Sequence, residues 1–175
     1  MFFLSKLLGS PVRDRDGKPV GALQDLVVTT RPNYPRVTAL LVKRRGRLVA
    51  AEWSAVESFE ETMTMLKVRG AELDERELGE DELRLSQQFL DKQLVDTEGR
   101  KVIRVNDIQL VRTGPFVHAV AVDISSGAIL RRVGLGRVSD RLKTGRQQPK
   151  PHLIDWRVLD LGATDDRGVR LAVPR

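Results

Sequence analysis

The sequence predicts a mainly β fold: two tandem small β-barrels, the second interrupted by a basic amphipathic helical insertion. Three observations predict it. One phrase occurs twice; each copy breaks into short apolar runs bounded by turn residues; and one copy is longer than the other before its Trp. The phrase Asp14-Arg15-Asp16-Gly17-Lys18-Pro19-Val20-Gly21-Ala22-Leu23-Gln24-Asp25-Leu26-Val27-Val28 returns in altered spelling from Asp96 to Leu110, at a constant offset of 82 residues. Internal repetition of this kind marks a duplicated supersecondary unit.

Each repeat opens on an acidic residue followed by Gly17 or Gly99. Gly takes positive φ at little cost, so both are read as tight turns. Apolar residues then fall at Val20, Leu23, Leu26 and Val28, and at Val102, Val105, Ile108 and Leu110. Strand alternation breaks between Leu23 and Leu26 and again between Val105 and Ile108, which predicts a bulge or bend used twice. Asp25 and Asp107 sit inside that break. Their side chains are expected to accept hydrogen bonds from backbone N–H groups.

Taken in order, Ser5 is expected to cap a short helix over 6–8 that stops at Gly9. A long strand covers about 20–30, and residues 31–35, with two prolines and an Asn, form a turn. Strands at about 36–43 and 47–52 follow, joined at Arg44-Arg45-Gly46. Trp53 and Val56 begin a loop or single helical turn, and a last strand covers about 63–68. Five strands in 70 residues fit a small barrel. Residues 71–85 form an acidic linker, within which Leu83 and Leu85 alternate as a short strand. Residues 86–90 repeat the leading helix, and the second barrel fills the rest of 86–175.

The echo continues beyond the opening phrase. Residues 37–42 resemble 117–122, Glu52-Trp53 resembles Asp155-Trp156, and 65–68 resemble 168–171. The offset grows to 103 at the Trp, so an insertion lies at about 123–153. There Ile129, Leu130, Val133, Leu135, Val138 and Leu142 are roughly helix-spaced, with Arg131, Arg132, Arg137, Arg141 and Lys143 between them. Gly134 and Gly136 weaken that helix. These five basic residues are the candidate partner-binding set. Trp53 and Trp156, each behind a carboxylate, are read as barrel plugs with satisfied indole N–H groups.

The chain has 175 residues, 41% hydrophobic and 31% charged, which describes a globular protein. No run reaches transmembrane length. Cysteine is absent, which removes disulfides and thiolate chemistry and fits a reducing compartment. The net charge of +6 is uneven. Residues 1–70 hold 12 basic and 7 acidic residues, 71–90 hold 2 and 7, and 91–175 hold 16 and 10. No nucleophile, base and acid converge, and His118 and His152 stand in different contexts. No catalytic residue, metal site or cofactor is therefore expected. Asp14/Asp16 and Asp165/Asp166 are read as turn acids.

Gly17, Val20-Gly21 and Asp25-Leu26-Val27-Val28 resemble the PRC-barrel family. The second copy keeps Gly99, Val102 and Asp107, with Ile103 where the family places Gly. The tandem arrangement is similar to the region ahead of MgtE-type magnesium transporter and CBS-domain proteins, through 89–96, 104–108, 129–135 and 154–156. The resemblance implies a non-catalytic protein-interaction or regulatory module accessory to a magnesium transport system. Its implied partner is a protein, namely helical, CBS or transporter domains in cis or trans. An anionic membrane surface, RNA and a second copy of the chain are the other candidate partners. The alternative reading is an RNA- or ribosome-associated assembly factor of the ribosome maturation type. The expected location is the cytoplasm, including the inner face of the membrane.

Overall fold

A computed structural model describes residues 1–29, 33–96, 102–124, 152–165 and 168–171. Among these residues the architecture is mainly β, with two short helices. The first half runs β1 (Phe2–Phe3), α1 (Leu4–Leu7), β2 (Pro11–Arg13), β3 (Pro19–Thr29), β4 (Val37–Arg44) and β5 (Arg47–Glu52). A 3-10 turn at Trp53–Ala55 leads to β6 (Val56–Phe59) and β7 (Thr64–Leu66). A second 3-10 turn, Gly70–Glu72, precedes β8 (Glu82–Arg84) and α2 (Leu85–Phe89). The second half follows with β9 (Gln93–Asp96), β10 (Val102–Arg104), β11 (Asp107–Thr113) and β12 (Phe116–Asp123). It ends with β13 (Leu153–Asp155), a 3-10 turn at Trp156–Val158, β14 (Leu159–Asp165) and β15 (Gly168–Leu171).

The described strands form three sheets. One has the order β5-β4-β3-β2-β7-β6 with β8 also on β3; the others are β1-β11-β12-β13 and β10-β9-β15-β14. None closes among the described strands, so the expected closed cylinders are not what the hydrogen bonds draw. Where β5 would meet β6, the chain makes the turn at Trp53 instead of a ladder.

Equivalent parts of the two halves share fine geometry. The β3–β4 register shifts between Leu23 and Asp25, the break that the apolar spacing predicts. In the second half the strand itself stops between β10 and β11 at the matching residues. A further register shift lies between Val27 and Val28, and its counterpart lies between Gln109 and Leu110. That pairing corrects one expectation. Val28 stands opposite Val37 and Leu110 opposite Ala119, so β4 matches β12 at an offset of 82 and not at the 80 that aligns 37–42 with 117–122. A two-residue slip keeps every side chain on its own face, so the hydrophobic pattern cannot separate the two alignments.

Gly21 has its place for a steric reason. A Cβ there would run into the Lys43 carbonyl oxygen of the neighbouring strand. Gly17 has φ of 74° in the first turn, where Asp14 Oδ1 accepts from the N–H groups of Asp16 and Lys18. Gly99 lies outside the described residues, as do Arg131, Arg132, Arg137, Arg141 and Lys143 and the insertion helix they were expected to decorate.

The first helix is capped differently from the expectation. Ser5 lies inside α1, whose N-terminal flank at Phe3 makes no side-chain cap bond. Instead, Ser5 N–H and Oγ–H both donate to the Asp107 carboxylate of the second half, at 3.1 and 2.5 Å. The reciprocal arrangement closes α2: Ser86 N–H donates to Asp25 Oδ1 at 2.7 Å, and Gln87 N–H to Oδ2 at 3.3 Å. Strands follow the same exchange. β1 pairs with β11, and β8 pairs with β3. Each half thus receives a strand and a helix that precede the other half in the chain. Apolar residues from both halves and both helices share one buried cluster, from Leu4, Leu26 and Leu40 to Ile108, Val122 and Trp156.

The acidic stretch after β7 lies along the first sheet. Ala50 N–H donates to the Asp74 carbonyl at 2.8 Å on the outer edge of β5. Arg76 spans Glu52 on β5 and Glu82 on β8, at 2.9 and 2.6 Å. Glu82 also accepts from Thr38 Oγ1. The outer face of the sheet carries a separate buried cluster of Val27, Ala39 and Leu41.

Two predictions follow from this wiring. Asp25→Ala strips acceptors from half-buried helix-end N–H groups and leaves a cavity at a fully buried position, and is expected to cost roughly 3 kcal/mol in urea denaturation, with Asp107→Ala similar. Wild-type stability in both would overturn the reciprocal capping. The Arg76 guanidinium holds the Glu82 carboxyl down to about 2 from its ordinary 4.5. Its contribution, on the order of 2 kcal/mol, is present in full above the ordinary carboxylate range and fades as pH falls from about 4.5 toward 2. The stability gap between wild type and Glu82→Gln should therefore close over that acid window; a pH-independent gap would contradict it.

Candidate interaction surface

β12 reads Phe116-Val117-His118-Ala119-Val120-Ala121-Val122-Asp123, apolar on both faces for most of its length. Such a strand needs cover on two sides. One face is buried in the shared core through Val117, Ala119 and Val122. The other face opens into a groove of about 780 Å3. Val111, Val120 and Ala121 form part of its wall, with Gln109 and Thr113 beside them and Leu153 and Asp155 of β13 at one side. The first half contributes Asn33 and Tyr34.

The two halves meet here. Arg36 and His118 form an isolated antiparallel bridge, and Ala119 N–H donates to the Pro35 carbonyl at 2.9 Å. Arg36 and His118 are equivalent positions of the two copies, so the bridge marks a local two-fold relation between them. The Tyr34 hydroxyl donates to the Asp155 carboxylate, 3.1 Å from Oδ2. Arg157 binds the same carboxylate through Nε and its second guanidinium nitrogen, both at 3.1 Å, and its guanidinium carbon stands 5.5 Å from the Tyr34 ring centre. Arg36 lies over the Phe116 ring at 4.8 Å.

These contacts set the local electrostatics. The Arg157 hydrogen bonds hold the Asp155 carboxyl below its ordinary range, against a smaller opposing effect of burial. Burial, then the Arg36 charge, push the His118 imidazole below its ordinary value. His118 Nδ1 has no hydrogen-bond partner among the described residues. A neutral imidazole, a tied carboxylate and two aromatic-stacked guanidinium groups make a binding surface of mixed polarity. They do not form a relay of nucleophile, base and acid.

Trp53 and Trp156 occupy matching 3-10 turns directly after β5 and β13. Their side chains differ in setting. The Trp53 indole N–H donates to the Pro115 carbonyl at 2.8 Å, and its ring meets Phe59 edge-on at 5.3 Å. Trp156 is 2% exposed and packs edge-on against Phe89 of α2 at 4.7 Å. Its indole N–H has no partner among the described residues, unlike the satisfied plug expected for both. Trp53 also borders a smaller cleft of about 370 Å3, with Lys67, Arg112 and Phe116.

Of the residues singled out in the sequence, Asp25, Asp107 and Trp156 are buried framework, Gly17 is a turn, and Trp53 is half-buried. Sequence reasoning missed Tyr34, Arg36 and the open face of β12. The apolar run 119–122 was the available signal, because a strand with one wet face would alternate. No group of three or more His, Asp or Glu side chains suited to a metal ion occurs among the described residues. No helix among them is long and apolar enough to cross a membrane.

An NMR titration should place the His118 imidazole below 6.5, and Arg36→Ala should move it upward. An unchanged value in the variant would remove Arg36 as a cause.

Comparison with known proteins bears on the first half. No curated protein matches the chain. Residues 1–72 match the family model of the PRC-barrel domain, so the stretch from β1 through the turn at Gly70–Glu72 is a PRC-barrel domain.

Proposed function

We propose that the chain is a non-catalytic protein-interaction module built from two copies of a PRC-type unit, with the open face of β12 as its partner-binding surface. One observation carries this reading: Val111, Val120 and Ala121 line an open groove while the opposite face of the same sheet is sealed in the core. Apolar walls with a few oriented polar groups are the ordinary makeup of a binding site. Asp155, the carboxylate in the groove, is engaged by Tyr34 and Arg157, which favours recognition over proton transfer. The basic residues Arg131, Arg132, Arg137, Arg141 and Lys143 supply a second candidate contact on sequence grounds. A regulatory role and a link to magnesium transport rest on the sequence resemblance alone.

The test compares affinity capture by the full chain with capture by Val120→Asp and Val111→Glu, which place charge on the groove wall. Proteins recovered by the wild type should fall at least tenfold in both, while circular dichroism stays unchanged. Equal recovery would overturn the assignment of this face. RNA binding, measured in parallel at two salt concentrations, decides the other class. A steep loss of affinity with salt would reveal phosphate contacts and, with unchanged protein recovery, would replace the present reading.

A further inference from the structure

The groove has an occupied twin in the same molecule. Ladder partners identify it: Ala39 faces Glu52 as Ala121 faces Asp155, and Leu41 faces Ala50 as Asp123 faces Leu153. Val27, Ala39, Ala50 and Glu52 of the first half therefore correspond to Gln109, Ala121, Leu153 and Asp155. The latter four line the groove. In the first half the acidic stretch runs along this place. It hydrogen-bonds to the edge of β5 through the Asp74 carbonyl, and Arg76 reaches across the sheet from Glu52 to Glu82. In the second half, β13 is the edge strand of its sheet, and no described strand pairs with its outer side.

An unpaired strand edge beside an apolar groove is a template for another extended chain. The backbone of Leu153, like that of Ala50, faces away from the neighbouring strand. Arg36 and Arg157 are exposed at the groove's rim, against the single, already engaged carboxylate of Asp155. From the occupied twin and this charge balance, we infer that an extended acidic segment of a partner protein adds antiparallel to the outer edge of β13. That segment lies over the groove as the acidic stretch lies over the first sheet. The inference rests on the interaction-module reading and specifies its partner chemistry.

The probe is a fluorescent synthetic peptide with the sequence of residues 70–82, titrated into the full chain by anisotropy. In an extended strand, N–H groups of alternate residues point to opposite edges. In the occupied twin the Asp74 backbone faces β5. Methylating the peptide nitrogens at the Asp74 and Arg76 positions should weaken binding at least tenfold. Methylating those at Leu73 and Glu75 should change it less than about threefold. Leu153→Pro removes the receiving N–H and should also weaken binding at least tenfold. The peptide comparison needs no change to the protein, so it stands even if that variant misfolds. Saturable binding with this asymmetry supports the inference. Absence of binding, equal effects of both methylation patterns, or full binding by a folded Leu153→Pro overturns it. If groove variants lose captured partners while the peptide fails, strand addition falls and the interaction module stands.

Discussion

Two buried carboxylates hold the molecule together. Asp25, at the register shift inside β3, and Asp107, at the start of β11, each bind the N-terminal end of a helix that precedes the other half. The first N–H groups of a helix have no partner within it, and burial makes leaving them bare costly. Asp25 takes two of them, Asp107 takes one together with the Ser5 hydroxyl, and each also accepts from its own neighbour, Leu26 or Ile108; these bonds fix where each helix sits. Fixing the helices places Leu4, Leu7, Leu85 and Phe89 in the common core. The groove then follows, because β1 on β11 sets one side of the sheet and β13 remains the other.

Much of this was legible in the residues. The repeat, the bulge after Leu23 and the strand over 47–52 follow from spacing and turn chemistry, because they are local. The reciprocal exchange was not legible. Ser5 looks like an ordinary N-cap, and nothing in sequence says that a carboxylate 102 residues away will meet its N–H instead. The acidic stretch 71–85 likewise reads as solvated. Most of it is exposed, but Arg76 is half-buried and bridges Glu52 and Glu82. Composition cannot distinguish charges facing water from charges facing each other.

The two halves diverge where their outer faces are concerned. Val27 and Ala39 are sealed; Gln109 and Ala121, their counterparts, open into the groove. Two halves that share register shifts and strand pairing still present different surfaces. A polar Gln at the position of a buried Val is the residue-level trace of that divergence. Tyr34, which crosses from the first half to Asp155, ties this open surface of the second half to the first.

The crossing of leading segments has a consequence for dissection. A fragment ending before α2 would keep Asp25 but lose the N–H groups that Asp25 serves, and its own α1 would lack Asp107. A fragment starting at α2 would have the mirror-image deficiency. Neither piece is a self-sufficient folding unit, yet each carries what the other lacks. Severed halves mixed in solution are therefore built for complementation, with the cut chain reassembling through the same pair of borrowed helix ends.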